Sequence, residues 1–400
     1  MSDERTRGEV VRELVGWARL PCPLEDFAGG QVLAGSPSLH ARAVAAFGSW
    51  ELALAAALLE VCAPADELAD GGSAGRLEDA PRPERVVTSA AEHPVYLFTE
   101  DGTGWWAPLT SFLTRPTGAL YEVPAGPGIE QWPRAVRYVG DDPSVALLTR
   151  LGMVGTMLQQ QLRSWSPDSM HVPVHRHLSG LPEDDGFVEL WPRRLFRYDA
   201  RVYAVTVDGQ VKASSCDEYS KRLSGEAVEA VLLREGDSAL ALLTGPERVE
   251  LMLASSLGKA IVFDASELRT QGRKAQGVRG ISLDEGARVV SAFRRDGVEQ
   301  VLLVTRQGYA KRMLADEFRA QGRGGGGLQT CRLGPGDEVR ALVPVHPADD
   351  VLLLSDDGRY ARMPVWDVPL MGRAARGERV FELGASEVVQ SVVAVPPGPM

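Results

Sequence analysis

The sequence predicts an all-β six-bladed propeller preceded by a small α-helical domain, and three repeating features support this. Glycines that follow short aliphatic runs are spaced by 50, 57, 49, 50 and 50 residues, at Gly102, Gly152, Gly209, Gly258, Gly308 and Gly358. Gly-Arg pairs recur every 50 residues, at 272–273, 322–323 and 372–373, each followed by a further glycine at 277, 327 or 377. A second series of turn glycines, at 236, 286, 336 and 384, precedes aliphatic strands. Four short strands in a unit of about 50 residues are typical of a propeller blade.

Each unit reads as strand, glycine turn, strand, acidic-hydrophobic step, Gly-Arg loop, strand, glycine turn, strand. Runs such as 351–354 are apolar at every position, which predicts strands packed between neighbouring blades. The spacing of 57 places an insertion in the second unit, at about 165–194, which we interpret as an extended loop. The units together predict a propeller domain over residues 91–397.

The N-terminal part has a different pattern. Segments 9–19, 41–46 and 51–61 are apolar-rich or amphipathic and predict helices, so we expect a small helical module over residues 1–63. Residues 64–90 are rich in Ala, Pro, Gly, Asp and Glu and are interpreted as a linker.

Charge and composition narrow the classes of protein. The chain of 400 residues has a net charge of −11, yet residues 244–345 carry 16 basic and 12 acidic side chains. The first ten residues are polar, and no apolar run approaches the roughly 18 residues that span a bilayer. The four cysteines, Cys22, Cys62, Cys216 and Cys331, form no CxxC pair. We therefore expect a reduced, cytoplasmic location.

The units resemble those of the C-terminal domain of the DNA gyrase A subunit. The resemblance is carried most strongly by LLVTRQGYAKRMLADEFRAQGRGGGGLQTCRLGPGDEV (302–339) and by GKAIVFDASELRTQGRKAQGVRGISLDEGARVVSAF (258–293). It implies a β-pinwheel, a propeller that binds and wraps duplex DNA on its rim, and hence a nucleoid-associated protein. That family carries a loop of the Gln-Arg-Arg-Gly-Gly-Lys-Gly type in its first blade. The nearest match here, 321–327 in the fifth unit, lacks the second Arg and the Lys, so we expect duplex binding and leave bending or wrapping open.

A second resemblance concerns residues 35–60, which are similar to the short repeat that accompanies homing endonucleases. The matching residues are Ser36-Pro37-Ser38, Phe47-Gly48-Ser49-Trp50 and the Ala-rich 53–57. The resemblance implies a helix-turn-helix-like unit linked to DNA binding.

Basic side chains on turns and edge loops of blades four and five are the predicted DNA contacts, because Lys and Arg bind phosphates. The candidate set is Lys259, Arg269, Arg273, Lys274, Arg279, Arg306, Lys311, Arg312, Arg319, Gln321, Arg323, Gly324, Gly325 and Arg373. The run 324–327 could let backbone N–H groups approach a phosphate, or could be a flexible loop. The alternative interpretation is a protein-interaction propeller that has lost DNA binding, which the net charge of −11 favours.

No enzyme motif is present in the sequence. The Arg-Tyr pairs at 137–138, 197–198 and 359–360 lie in strand-like segments, and there is no phosphate-binding GxxxxGK loop. We expect neither catalysis nor a cofactor, and a topoisomerase or another nucleoid protein as a possible protein partner. His171, His175 and His177 could hold zinc, but we interpret them as a polar loop. The tryptophans of the first two units are expected to pack between blades rather than to stack on bases: Trp105, Trp106, Trp132, Trp165 and Trp191.

Overall fold

The computed structural model describes residues 92–100, 102–124, 132–140, 142–162, 172–173, 178–182, 185–193, 200–220 and 226–397. The predicted helical module 1–63, the linker 64–90, Trp165 and the three histidines at 171, 175 and 177 lie outside these ranges. Within them, no helix has the length and apolar character needed to cross a membrane.

The described residues form six antiparallel sheets of four strands each, which we number as blades 1 to 6. In each blade the strands below are given in their hydrogen-bonded order, with numbering along the chain. Blade 1 contains β4 (Ala135–Tyr138), β1 (Pro94–Phe98), β2 (Thr103–Pro108) and β7 (Val172–Pro173), and blade 2 contains β8 (Phe187–Pro192), β5 (Ser144–Thr149), β6 (Met153–Leu158) and β11 (Val228–Glu229). Blade 3 contains β12 (Ala239–Gly245), β9 (Arg201–Thr206), β10 (Gln210–Ser215) and β15 (Val278–Arg279), and blade 4 contains β16 (Val289–Arg294), β13 (Glu250–Ser255), β14 (Lys259–Asp264) and β19 (Leu328–Gln329). Blade 5 contains β20 (Val339–Val345), β17 (Gln300–Thr305), β18 (Tyr309–Leu314) and β23 (Glu378–Arg379), and blade 6 contains β24 (Val389–Val395), β21 (Asp350–Ser355), β22 (Arg359–Pro364) and β3 (Leu120–Glu122).

Short helical segments follow several of the second strands. They are α1 (Thr110–Leu113) and α2 (Asp217–Ser220), together with 3-10 turns at Gln159–Gln161, Ala265–Glu267, Ala315–Glu317 and Val365–Asp367. The predicted six-bladed β-propeller is therefore confirmed.

One sequence unit is not one blade, which corrects the simplest interpretation of the repeat. After its second strand the chain crosses to the preceding blade, where the short strand of the unit pairs with the outer edge. For example, β15 belongs to the fourth unit, but it pairs with β10 of blade 3. The fourth strand of the unit then returns to its own blade, as β16 does beside β13. Every blade is thus completed by residues from the next unit.

The same exchange closes the ring. The short strand β3 of the first unit pairs with β22 of blade 6, with Tyr121 opposite Tyr360. The Tyr360 hydroxyl donates to the carbonyl of Ser111 at 3.2 Å. The buried guanidinium of Arg362 donates to the carbonyl of Leu113 and pairs with Asp350 at 2.8 Å. The first and last units are therefore joined by both strand pairing and buried polar contacts.

Apolar cores lie between neighbouring blades, because the central strands are apolar on both faces. The described residues contain six clusters of buried side chains, one at each interface around the ring. Trp105 is fully buried in the cluster between blades 6 and 1, while Trp106 and Trp191 pack against the clusters on either side of blade 2. These three tryptophans lie between blades, and Trp132 is 46% exposed beside the hairpin turn at Gly358.

The inner strands β4, β8, β12, β16, β20 and β24 contact one another in turn around the centre. They surround a central cavity of about 630 Å³. The short exchanged strands lie at the opposite edge of each sheet. We call this outer edge the rim, together with the crossing segments and Gly-Arg loops that precede the strands and the few residues that follow them.

Candidate nucleic-acid interface

The rim changes charge around the ring. The last residues of the short strands occupy equivalent positions on their blades. Those of β11, β15, β19 and β23 follow one another at intervals of 50 residues, from 229 to 379. The residues at this position are Glu229 on blade 2, Arg279 on blade 3, Gln329 on blade 4, Arg379 on blade 5 and Glu122 on blade 6. At this position the rim is therefore cationic or neutral over blades 3 to 5 and acidic on blades 2 and 6. We call the former stretch the basic arc.

Strand exchange moves the predicted DNA contacts by one blade. Arg279 lies in the fourth unit of the sequence, but β15 places it at the outer edge of blade 3. The loop 321–327 belongs to the fifth unit, and the strand that follows it, β19, pairs with β14 of blade 4. The basic arc therefore begins on blade 3, rather than on blade 4 as the order of the repeats had predicted.

Five of the predicted contact residues present exposed cationic side chains. They have no ion-pair or hydrogen-bond partner for their side chains within the described part of the chain: Arg269, Lys274, Arg279, Arg306 and Arg319. Four of them lie on the crossing segments, the Gly-Arg loop or the short strand that form the rim. Arg306 instead lies in the β17–β18 hairpin turn, where its N–H donates to Glu338 and its carbonyl accepts from Val389. It is therefore close to the inner strands β20 and β24.

Lys311 and Arg312 are buried, so the structure removes them from the predicted set of contacts. The Lys311 ammonium is inaccessible to solvent and donates to the carbonyls of Gly372 at 2.8 Å and Arg373 at 2.7 Å. Burial lowers the pKa of Lys311 to about 8. Lys311 and Arg312 follow the turn glycine Gly308 on β18, the second strand of its unit, and both side chains are buried between blades. They hold blade 5 against the loop of the sixth unit.

Arg312 makes a parallel set of contacts. Its guanidinium donates to the carbonyl of Val368 at 2.6 Å and to Oε1 of Gln300 at 3.0 Å, and it lies 4.9 Å from the centre of the Trp366 ring. Burial lowers the pKa of Arg312 from its ordinary value. Neither residue is placed to bind a phosphate from solution.

The arginines of the three Gly-Arg pairs, Arg273, Arg323 and Arg373, join successive units, and we call each such contact a clasp. Each guanidinium donates to a backbone carbonyl on the short strand of the preceding unit. The distances are 3.0 Å from Arg273 to Glu229, 2.7 Å from Arg323 to Arg279, and 3.3 Å from Arg373 to Gln329. This part of the repeat therefore holds the rim strands in place.

A carboxylate completes each clasp. The backbone N–H of Arg323 donates to Glu267 at 3.0 Å, and that of Arg373 donates to Glu317 at 3.2 Å. In the earlier unit, Nε of Arg273 lies 3.7 Å from a Glu218 oxygen. The acidic step that the sequence repeats after each second strand is thus the partner of the next unit's arginine.

The loop 321–327 is held by backbone hydrogen bonds. The N–H of Gln321 donates to Val262 and that of Gly324 to Gly280, both at 2.8 Å, while the carbonyl of Gly325 accepts from Ser282 at 2.9 Å. With Arg323 engaged in its clasp, the loop, all of whose residues are described, offers no unpaired cation. Lys259 is also engaged, in an ion pair with Asp284 at 2.8 Å.

Two further rim cations were missed from the sequence. Arg379 on β23 and Arg332 after β19 are exposed, and no side-chain partner is present for either in the described ranges. Arg379 could have been found from the repeat, because it lies 100 residues after Arg279, two repeats along the chain. The rim set is then Arg269, Lys274, Arg279, Arg319, Arg332 and Arg379.

No group of His, Cys, Asp and Glu side chains that could hold a metal ion is found among the residues that the structure describes. Cys216 and Cys331 are buried free thiols in separate blade interfaces. The histidines at 171, 175 and 177 lie outside the described residues.

The last three repeating units match a family of known proteins. Residues 250–295, 299–346 and 349–396 match the family described as DNA gyrase C-terminal domain, beta-propeller. The DNA gyrase A protein of Klebsiella oxytoca is 34% identical over 115 residues, which are 29% of this chain and 13% of the relative. The corresponding protein of Salmonella typhimurium is 26% identical over 200 residues, covering 50% of this chain and 23% of the relative. The chain thus matches less than a quarter of the length of these relatives.

Solved structures extend the likeness over the whole ring. The DNA gyrase A C-terminal domain superposes with a TM-score of 0.65 at 18% identity, covering 76% of this chain and 99% of the other. The C-terminal domain of DNA topoisomerase IV gives a TM-score of 0.59 at 20% identity, covering 77% and 95%. In its six-bladed β-propeller fold the chain is therefore similar to the C-terminal domains of DNA gyrase A and DNA topoisomerase IV.

Proposed function

We propose that this protein binds duplex DNA along the basic arc, on the rim of blades 3 to 5, without catalysing a reaction. The observation that supports the proposal most directly is the set of six exposed rim cations, whose side chains have no partners among the described residues. Cations of this kind can neutralise phosphates without first breaking an internal ion pair. The resemblance to the gyrase A C-terminal domain, the part of gyrase A expected to bind DNA, supports the same role.

The charges on either side of the arc support one form of the complex. Acidic side chains at Glu229 and Glu122 flank the basic arc on blades 2 and 6 and would repel a phosphate backbone. The loop 321–327, in which every residue is described, supplies no unpaired cation that could extend the contact. A duplex held here would follow about half of the rim, so we propose binding with bending rather than a full wrap. Such a protein would act in the nucleoid, as an architectural protein or as an accessory to a topoisomerase.

The proposal is tested by titrating the full chain into a labelled duplex over a series of salt concentrations. We expect log K to fall linearly with log salt, because bound Lys and Arg release counterions from DNA. Arg279→Gln should weaken binding and reduce the slope by about 1, the value for one lost phosphate contact. Arg248→Gln is the matched control, since Arg248 is exposed in the turn before β13 and outside the rim.

Absence of duplex affinity at about 50 mM salt would overturn the proposal. Equal weakening by Arg279→Gln and Arg248→Gln would also contradict it, because the contact would then be diffuse. The alternative, a protein-interaction propeller, is favoured by the net charge of −11 and by the acidic rim of blades 2 and 6. A chain that folds fully but binds no duplex would support that alternative.

A further inference from the structure

The central cavity has an unusual balance of charge. Its charged lining residues, within the described ranges, are four arginines and one carboxylate: Arg134, Arg137, Arg150, Arg340 and Glu189. Glu189 is already paired with Arg137, with 3.0 Å between Oε1 and Nε. Arg134 is paired with Glu100 at 4.0 Å. The lining itself therefore holds more arginines than carboxylates, although the chain as a whole is acidic.

Two of these arginines converge on one strand. Arg340 reaches from β20 of blade 5, and its Nε donates to the carbonyl of Gln390 at 2.7 Å. Arg137 reaches from β4 of blade 1, and its terminal nitrogens donate to the Ser391 hydroxyl at 3.2 Å and to the carbonyls of Val136 and Val188. Gln390 and Ser391 are neighbours on β24. The two guanidiniums are thus brought together from either side of blade 6.

Arg340 keeps unused hydrogen-bonding capacity. Its two terminal nitrogens have no protein partner within the described ranges. Burial lowers the pKa of Arg340 to about 10; the guanidiniums of Arg137, Arg288 and Arg306 contribute to this lowering, and the carboxylate of Glu338 opposes it. A half-buried cation among like charges is stabilised by a bound anion, which supplies further countercharge.

We propose that the central cavity is a binding site for a small oligophosphate anion, with Arg340 as its principal contact. The cavity of about 630 Å³ has the volume of a small-molecule pocket. Arginine binds phosphate oxygens through paired N–H donors, so it suits this ligand class better than a single point charge would. A cavity of this volume is too small for a double helix. The site is therefore separate from the rim, and it does not depend on the proposed DNA binding.

The experiment is a calorimetric titration of the full chain with inorganic tripolyphosphate at constant ionic strength. We expect one bound anion per chain, and an affinity about tenfold or more weaker in Arg340→Gln, as for a lost hydrogen bond to a charged group. Arg340→Lys keeps the positive charge but loses the planar guanidinium, so its affinity for tripolyphosphate should lie between those of the wild type and Arg340→Gln. Arg248→Gln is the control on the outer surface. The denaturation midpoint of each variant shows whether it is folded.

Three results would overturn the proposal. The first is a wild-type chain that does not bind tripolyphosphate. The second is equal weakening by Arg279→Gln and Arg340→Gln, which would place the anion on the rim. The third is a folded Arg340→Lys or Arg340→Gln variant that binds as tightly as the wild type.

Discussion

At the scale of single residues, Arg273, Arg323 and Arg373 show how a repeated motif can suggest the wrong role. Their type and their position in loops agree with phosphate binding, and on that ground all three belong to the predicted DNA-contact set. The structure shows each guanidinium bonded to a carbonyl of the preceding unit's short strand. A single sequence shows the residue type and spacing, but it does not show which carbonyl lies within reach.

The glycine that ends each Gly-Arg loop adopts a positive φ, and substitution can test whether a glycine is required there. Gly327 has a φ of +74°, and a Cβ added there would lie 2.6 Å from the carbonyl oxygen of Ala260. Gly327→Ala should therefore lower the free energy of unfolding by about 1–3 kcal/mol, or more if the backbone cannot move. Urea denaturation measures the change.

Gly326→Ala is the matched control for this substitution. At this neighbouring glycine, a Cβ would have no heavy atom within 4 Å, and the backbone φ is not positive. We expect the substitution to change stability by only about a few tenths of a kcal/mol. Similar losses in the two variants would contradict the role given to Gly327.

Buried Lys311 gives the fold a pH dependence. Its pKa falls from 10.5 to about 8. Between these two values the unfolded chain binds more protons than the folded chain, so the free energy of unfolding contributed by this group rises as pH increases. In Lys311→Met this contribution is absent. We expect the stability of the wild type relative to Lys311→Met to increase between about pH 8 and pH 10, measured by urea denaturation. A difference that does not change with pH would refute the expectation.

At the scale of elements, strand exchange is the feature that the repeat did not predict. The order of strands within a unit is the same whether the third strand stays in its own blade or joins the previous one. The choice depends on contacts such as the N–H of Gln271 to the carbonyl of Ala213 at 2.8 Å, which join units distant in sequence. The four strands were therefore predictable from local pattern, while their distribution among blades was not.

Ring closure at blade 6 provides the test at this scale. Arg362 and Asp350 form an ion pair with side chains 2% and 0% exposed, and Arg362 also bonds to Leu113 of the first unit. Arg362→Met should destabilise the chain by about 3–5 kcal/mol, because it leaves a buried carboxylate without its cation. Thermal or urea unfolding gives the value.

The double variant Arg362→Met/Asp350→Leu separates charge from packing. Removing both ions should recover much of the lost stability, since an apolar pair of similar volume carries no desolvation cost. If the double variant is as unstable as the single one, the link to Leu113 matters more than the ion pair.

At the scale of the whole molecule, the basic arc of the rim is flanked by acidic positions on blades 2 and 6. Gln329 on β19 lies between Arg279 and Arg379 in the equivalent position, and it is exposed. Gln329→Arg should therefore tighten duplex binding and steepen the dependence of log K on log salt by about 1. Leu257→Arg adds the same charge at an exposed hairpin turn away from the rim and should leave the slope unchanged. The proposed surface is wrong if the two substitutions have the same effect.

The sequence by itself determined the number of blades, the positions of their turns and the family that the units resemble. A turn glycine must recur wherever a hairpin recurs. The glycines at 102, 152, 209, 258, 308 and 358 all have φ between +72° and +84°. Hairpin turns are local, so a period in the chain is enough to locate them.

Only the tertiary structure decided which cations are available. Lys311 and Arg319 are eight residues apart and equally basic, yet one is inaccessible to solvent and the other is exposed. The tertiary structure also places the start of the basic arc on blade 3, and it brings Arg137 and Arg340 to the central cavity from distant parts of the propeller sequence. The physical reason is that burial and charge pairing depend on neighbours from other units, and these neighbours are fixed only when the ring closes.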